Sequence, residues 1–139
     1  MSMRQFARRF TKKSEPKYQN KSSLCSLNHS HRSKLESALC EALRLRERAG
    51  EISDLQAEVR VFICGPEGHE CDHKRKIESI VDFRWKNRAT GEWEYGEAKG
   101  YVAPAWPLKR RLWLHYRTER LEVWKGDYRR PTLDEVLNG

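Results

Sequence analysis

Long apolar segments are missing from this sequence of 139 residues. No window holds the roughly 18 to 20 consecutive apolar residues that a membrane-spanning helix needs, and no apolar stretch near the start resembles a secretory signal. We therefore expect a cytoplasmic protein that has no membrane partner. The hydrophobic content of 37% is enough for one modest domain at this chain length.

Acidic residues are scarce at the beginning of the chain. Residues 1–34 contain nine Lys or Arg and one acid, Glu15, whereas the rest of the chain contains 19 residues of each sign. The net charge of +8 therefore resides in this segment. We expect residues 1–32 to form a flexible basic arm that binds a polyanion, because each neutralised phosphate releases counterions. A solvated tail and an organellar transit peptide are the alternatives. The predicted DNA contacts in the arm are Arg8, Arg9, Lys12 and Lys13.

Paired CxxC motifs are also missing. The four cysteines lie in a chain without an export signal, so we expect reduced thiols. Cys64, His69, Cys71 and His73 do cluster in the sequence, and thiolate and imidazole groups can hold zinc. Their spacing differs from that of paired zinc knuckles, and the segment fits a polar hairpin loop equally well, so both interpretations stay open.

The hydrophobic pattern predicts a helix from about Ser33 to Ala49, with Gly50 as its stop. Ser33 as N-cap and Glu36 three residues later have the spacing of a capping box. Three strand-like runs follow, with alternating apolar residues. The second run carries Asp82 among apolar neighbours.

The second half of the chain begins with the third strand-like run, from about Glu92 to Lys99. Pro107 suits the first turn of another helix, because the N–H group that proline lacks would have no partner within the helix at that position. The predicted apolar stripe of this helix consists of Leu108, Leu112 and Tyr116. A strand from Leu121 to Trp124 comes next, and the capping-box spacing of Thr132 and Glu135 predicts a short terminal helix.

This order of elements predicts an α/β fold with an α-β-β-β-α-β core, in which helices flank a central mixed sheet. We place the domain at residues 33–126 and a C-terminal tail with the short helix at 127–139.

A compact charged group is predicted within this sheet. Neighbouring strands lie about 4.8 Å apart and residues i and i+2 about 6.6 Å apart, so Asp82, Glu97 and Lys99 can converge. Carboxylates at such distances repel unless a cation lies between them, and Mg²⁺ or Mn²⁺ prefers these oxygen ligands. The predicted ligands are Asp82, Glu97, the carbonyl of Ala98 and Glu36. Capping remains the alternative role of Glu36.

Five segments carry a resemblance to a known family. They are Ser33-Lys34-Leu35-Glu36, Arg48-Ala49-Gly50-Glu51-Ile52, Ser79-Ile80-Val81-Asp82-Phe83, Glu97-Ala98-Lys99-Gly100 and Leu108-Lys109-Arg110-Arg111. Together they resemble a phage and bacterial family of PD-(D/E)XK proteins described as Holliday-junction-resolvase-like. The likeness runs from about Tyr18 to Lys125.

This resemblance implies a restriction-endonuclease-like fold, Mg²⁺ dependence and cleavage of DNA, with branched DNA as the favoured substrate. It also implies a bacterial or phage-infected host cell. The family's catalytic positions match Glu36, Asp82, Glu97 and Lys99. Three features depart from the family pattern: Glu97, where the family often has Asp, Pro107, where another polar or basic residue is expected, and the segment with Cys64, His69, Cys71 and His73, which the family does not lead us to expect.

Basic residues surround the predicted site. The predicted DNA contacts outside the arm are Lys34, Lys109, Arg110, Arg111 and Arg117. A basic cluster beside a metal site would grip phosphates without reading bases, although it also fits the solvated side of an amphipathic helix. We expect a homodimer, because junction resolution requires paired cuts, and no small-molecule substrate. The alternatives are a non-catalytic nucleic-acid-binding protein of the same fold and an exonuclease or single-strand nuclease.

Overall fold

The computed structural model describes residues 23–25, 30–31, 33–64, 77–99 and 104–139. The predicted DNA contacts Arg8, Arg9, Lys12 and Lys13 lie outside the described residues. So do His69, Cys71 and His73 and the side chain of Cys64, so the zinc interpretation of that loop stays a prediction.

The described elements form two sheets and two helices. In chain order they are β1 (Ser23–Leu24), β2 (Ser30–His31), α1 (Lys34–Arg48), β3 (Ile52–Cys64), β4 (Ile77–Asn87), β5 (Trp93–Lys99), α2 (Trp106–Tyr116), β6 (Leu121–Lys125) and β7 (Thr132–Leu137). β1 pairs with β2, and strands β3 to β7 lie side by side in sequence order. Only the β5–β6 pair of this larger sheet is parallel. Parallel neighbours need a long crossover, and α2 provides it.

The first predicted helix is confirmed as α1, one residue shorter at each end. The Ser33 hydroxyl accepts the backbone N–H of Glu36 at 3.2 Å, which satisfies one donor of the first turn. Leu39 and Leu43 are fully buried on its inner face. Gly50 follows the helix with a φ of +79°, a conformation that favours glycine.

The two helices cover opposite faces of the larger sheet. Val123 belongs to the buried cluster that contains Trp113 of α2, whereas its neighbour Trp124 packs against the cluster that contains Leu39 of α1. Successive residues of a strand point to opposite faces. The α/β class and the mixed sheet between helices are therefore confirmed.

The predicted apolar stripe of α2 is wrong at Leu108, which is 60% exposed. The buried residues of this helix are Trp106 and Trp113, seven positions apart on one face. Burying two indole rings removes more apolar surface from water than burying leucines does, so the aromatic face packs inward.

The predicted terminal helix is also wrong. Residues Thr132–Leu137 form β7, antiparallel to β6, so the predicted tail at 127–139 completes the sheet. Leu137 is buried in the cluster around Trp113. A capping-box spacing is a local signal only, and pairing with β6 satisfies backbone groups that an open edge would leave unpaired.

The predicted C-terminal boundary of the flexible arm, residue 32, is wrong, because buried residues begin before it. Cys25 and His31, both within residues 1–32, are 5% and 3% exposed, and Cys25 packs with Leu39 and Leu43 of α1. These residues are structured because α1 offers an apolar face that covers them. In the described part of the chain, no helix is long and apolar enough to cross a membrane.

Candidate active site

The structure brings Asp82 of β4 and the Glu97–Lys99 segment of β5 together. The antiparallel ladder between these strands ends at the pair of Phe83 and Gly96, and Asp82 and Glu97 are the next residues on each strand. An Asp82 carboxylate oxygen, Oδ2, accepts the backbone N–H of Ala98 at 2.8 Å. This bond holds the Asp82 carboxylate beside the backbone between Glu97 and Lys99.

Gly96 allows the β5 backbone to lie directly against the ring of Trp85. The ring of Trp85 lies so close that a Cβ on Gly96 would be 2.8 Å from its nearest carbon. Trp85 is fully buried. The residue before Glu97 must therefore lack a side chain, and a Gly96→Ala variant would displace a core tryptophan.

Glu97 is the buried centre of the charged group. Only 3% of the residue is exposed, and each carboxylate oxygen contacts an ammonium group. Lys99 Nζ lies 3.0 Å from Oε2, and Lys109 Nζ contacts Oε1. Burial of an ionised carboxylate is costly unless it is paired and hydrogen-bonded, so the two lysines compensate for the burial of Glu97.

Both lysines have a second partner. Lys99 Nζ lies 4.1 Å from the centroid of the Trp106 ring, within the range of a cation–π interaction. Lys109 Nζ also donates to the backbone carbonyl of Ile80 at 3.1 Å. These contacts restrict the two ammonium groups to positions beside Glu97.

Glu36 lies in the first turn of α1, and its carboxylate is close enough to Asp82 to raise the pKa of that residue. The N-cap bond from Ser33 uses the backbone N–H of Glu36, not its carboxylate. Capping and a position at the charged group are therefore compatible for this residue. The structure thus places Asp82 beside the Glu97–Lys99 segment and Glu36 within electrostatic range of Asp82, so the four residues predicted as catalytic lie in one region.

The pKa of Asp82 is shifted by its burial and by the neighbouring carboxylates. Burial raises the pKa of Asp82 from 3.8 to about 7, with further contributions from the Glu97 and Glu36 carboxylates. The Ala98 N–H and the Lys109 ammonium act in the opposite direction but do not cancel this effect. The ionised form of Asp82 is therefore short of positive partners at neutral pH.

A stability measurement can test this electrostatic conflict. Because the pKa of Asp82 is higher in the folded state, the native protein binds the extra proton between about pH 4 and pH 7, and stability falls as pH rises through that window. Asp82→Asn keeps an acceptor for the Ala98 N–H but cannot ionise. Without divalent metal, we expect Asp82→Asn to be more stable than wild type by about 1 to 3 kcal/mol at pH 8, with little difference at pH 4.

Urea unfolding at both pH values checks this expectation. Asp134→Asn is the matched control, because Asp134 is an exposed acid on β7 that pairs with Lys125. An Asp82→Asn protein whose stability advantage does not grow with pH would contradict the raised pKa of Asp82 in the folded protein.

Lys109 is the functional candidate that sequence reasoning misplaced. The sequence predicted a DNA contact on the helix surface, whereas the structure directs its ammonium into the carboxylate group. The helical spacing could have predicted this position. Lys109 lies three residues after Trp106 and four before Trp113, so it shares the buried face of these tryptophans.

The structure contradicts the predicted DNA-binding role of Arg117. This residue is 4% exposed. Its guanidinium donates to the Phe62 carbonyl at 2.8 Å and to the Glu119 carboxylate at 2.7 Å. The planar guanidinium satisfies backbone and carboxylate acceptors inside the fold, so it is not available to a phosphate.

The remaining predicted DNA contacts in the described region lie on the surface. Lys34 and Arg111 are exposed. Arg110 is bound to Glu135 of β7 through two hydrogen bonds of 2.9 and 3.1 Å. Much of the Arg110 charge is thereby engaged within the protein, which leaves Lys34 and Arg111 as the better-placed cations.

A groove of about 260 Å³ adjoins the lysines of the charged group. Its lining includes Lys99, Trp106, Lys109, Ile77 and Ser79. A larger cavity of about 660 Å³ lies elsewhere, and none of the four predicted catalytic residues lines it. We place the candidate site beside the groove, because Lys99 and Lys109, which pair with Glu97, line the groove, whereas no member of the charged group lines the larger cavity.

Comparisons with known proteins add no family to this description. No family model matches the chain, and neither curated proteins nor solved structures give a significant match. The family membership and chemistry of the site are therefore matters of proposal.

Proposed function

We propose that this protein is a metal-dependent DNA endonuclease of the PD-(D/E)XK type, with a restriction-endonuclease-like fold. It hydrolyses phosphodiester bonds, with branched DNA and Holliday junctions as favoured substrates. The observation that carries the proposal is the meeting of three carboxylates and a lysine, Glu36, Asp82, Glu97 and Lys99, at one end of the β4–β5 ladder.

The donor set fits a hard divalent cation. Burial is the main cause of the raised pKa of Asp82, and the Glu97 and Glu36 carboxylates raise it further despite the nearby Lys109 ammonium, so a cation bound at this place would favour the ionised form. Carboxylate oxygens and a backbone carbonyl are the ligands that Mg²⁺ or Mn²⁺ prefers. The residues that would hold the ion are Asp82, Glu97, Glu36 and, through its carbonyl, Ala98. A bound ion would lower the pKa of a water molecule and neutralise charge on the phosphate.

Lys99 contributes the positive charge nearest to the reacting groups in this proposal. Its ammonium is held between Glu97 and the face of Trp106. From this position it orients the attacking water or contacts the phosphate, and ordering the reacting groups in this way accounts for a large part of catalytic rate enhancement. Lys34 and Arg111 grip the DNA backbone. Their contacts carry no sequence information, which suits an enzyme that selects DNA by shape.

The direct test is a cleavage assay with purified protein. Four-way junction, flap, single-stranded and linear duplex DNA are incubated with and without Mg²⁺, and the cut positions are mapped. We expect Mg²⁺-dependent internal cuts near the branch point. Shortening of linear DNA from its ends with intact junctions would replace the proposal with an exonuclease, and no cleavage of any substrate would overturn it. Sedimentation of the protein–junction complex tests the expected homodimer.

A non-catalytic DNA-binding protein of the same fold is the second candidate. The observation that favours it is that both oxygens of Glu97 already contact ammonium groups. Such a protein would bind DNA equally well with and without Mg²⁺.

Lys109 separates these two candidates. Its ammonium competes with a metal ion for Glu97 Oε1, so Lys109→Met is expected to bind Mg²⁺ about 3- to 10-fold more tightly. The measurement is calorimetric titration with Mg²⁺, and Lys125→Met, at an exposed strand position, is the control. In a non-catalytic binder that holds no metal, neither wild type nor Lys109→Met would bind Mg²⁺.

The basic segment before β1 supplies a separate prediction. Residues 1–22 contain seven Lys or Arg and one acid. Their deletion leaves Cys25 and His31 in place, and it is expected to weaken DNA binding and to flatten the dependence of log K on log salt by several units. Fluorescence anisotropy at a series of NaCl concentrations measures this slope. An unchanged slope would exclude the segment from DNA contact, whatever the cleavage rate.

A further inference from the structure

A second cluster of potential metal ligands lies away from the carboxylates. The Cys25 thiol, the His31 imidazole and the Cys40 thiol each offer one donor atom, and all three atoms lie within 4.8 Å of one another. The residues are 5%, 3% and 2% exposed. They come from three different elements: Cys25 follows β1, His31 ends β2 and Cys40 lies on the inner face of α1.

We propose that Cys25, His31 and Cys40 form a structural zinc site that fastens the β1–β2 pair to helix α1. Two sulfurs and one imidazole nitrogen are typical zinc ligands, and they differ from the all-oxygen set expected for Mg²⁺. A tetrahedral zinc ion takes four ligands, so a fourth side chain or a water molecule would complete the proposed site.

The spacing of the donor atoms suits an ion of this size. Bonds of about 2.0 to 2.3 Å in a tetrahedron separate neighbouring ligand atoms by about 3.3 to 3.8 Å. Donor atoms already within 4.8 Å need only small side-chain adjustments to reach these separations. A direct disulfide between Cys25 and Cys40 would use two of the three groups and leave His31 without a role in the cluster.

The fold gives the ion a physical purpose. β1 and β2 contain two residues each, and an isolated two-stranded pair is marginally stable in water. Leu24 is 65% exposed, so this pair buries little apolar surface. Metal binding contributes directly to folding free energy in small modules of this kind. Cys40 also lies one helical turn after Glu36, so the ion would brace the same end of α1.

The sequence offers a matched set of variants for the test. Cys25 and Cys40 belong to the proposed site, whereas Cys64 and Cys71 belong to the other Cys and His segment. Full-length protein purified in reducing, chelator-free buffer is analysed for zinc by mass spectrometry. Cys64→Ser/Cys71→Ser is expected to retain about one zinc per chain, and Cys25→Ser/Cys40→Ser to lose that equivalent.

Cobalt substitution provides a readout that does not require a Cys25 or Cys40 variant to fold. In the Cys64→Ser/Cys71→Ser protein, bound Co²⁺ should show thiolate-to-cobalt charge-transfer absorption, because only Cys25 and Cys40 remain as thiols. His31→Gln in this background is expected to weaken Co²⁺ binding at least about 10-fold.

Three results would overturn the proposal. The first is wild-type protein that contains no zinc and shows no cobalt–thiolate band. The second is zinc that is lost in Cys64→Ser/Cys71→Ser but kept in Cys25→Ser/Cys40→Ser. The third is a Cys25–Cys40 disulfide found by peptide mapping. None of these outcomes depends on DNA cleavage, so the zinc-site proposal is tested independently of the proposed nuclease activity.

Discussion

Lys99→Met is expected to lower the rate of Mg²⁺-dependent DNA cleavage by about 10²- to 10³-fold, the range typical for loss of one preorganised charge-stabilising donor in an active site. Methionine keeps most of the length and apolar volume of the side chain but removes the ammonium, which lies 3.0 Å from Glu97 and over the ring of Trp106. Because Lys109 still contacts Glu97, the buried carboxylate keeps one partner. We therefore expect the variant to fold.

Single-turnover cleavage at saturating protein measures the chemical step, and thermal unfolding verifies the fold. Lys86→Met is the matched control, because Lys86 is another sheet lysine whose ammonium lies 5.8 Å from a tryptophan ring, that of Trp93. It should cleave at the wild-type rate. If Lys99→Met also cleaves at that rate while folded, Lys99 has no part in catalysis. A loss of DNA affinity with an unchanged single-turnover rate would instead assign Lys99 to phosphate binding.

Arg117→Ala is expected to reduce the free energy of unfolding by about 2 to 4 kcal/mol, because it removes a buried guanidinium from its pair with the partly exposed Glu119 carboxylate. The change also leaves the Phe62 carbonyl without its guanidinium donor. Urea unfolding measures the loss. Arg111→Ala is the control on the neighbouring helix, since Arg111 is exposed and its replacement should change stability by less than about 0.5 kcal/mol.

The same two variants separate a structural arginine from a DNA-binding arginine. Folded Arg117→Ala should keep the DNA affinity and salt slope of wild type, whereas Arg111→Ala should reduce the salt slope by about 1. An Arg117→Ala protein of unchanged stability and weakened DNA binding would restore the surface role that the sequence predicted.

Much of the fold and of the site was predictable from local patterns. The alternation of apolar residues placed Asp82 on one strand and Glu97 and Lys99 on one face of the next, and strand pairing brings them together. The Ser33 N-cap and the periodicity of α1 predicted where Glu36 lies. These predictions held because hydrogen bonding along a helix or between adjacent hairpin strands depends on nearby residues.

The failures lie where distant segments meet. The sequence predicted Lys109 and Arg117 to be surface cations that contact DNA. The burial of Trp106 and Trp113 instead determines which face of α2 packs against the sheet. The sequence predicted a helix where β7 lies, because local patterns do not show that the edge of β6 can pair with residues at the end of the chain.

The sequence by itself determined the order of the central helices and strands. It also determined that Asp82, Glu97 and Lys99 lie near one another on adjacent strands, because periodicity and turn residues act over short distances. Only the tertiary structure decided which lysines neutralise Glu97, where Arg117 is buried, and that the donor atoms of Cys25, His31 and Cys40 lie close together. Those arrangements depend on packing between elements far apart in the chain, and burial, not local propensity, selects their partners.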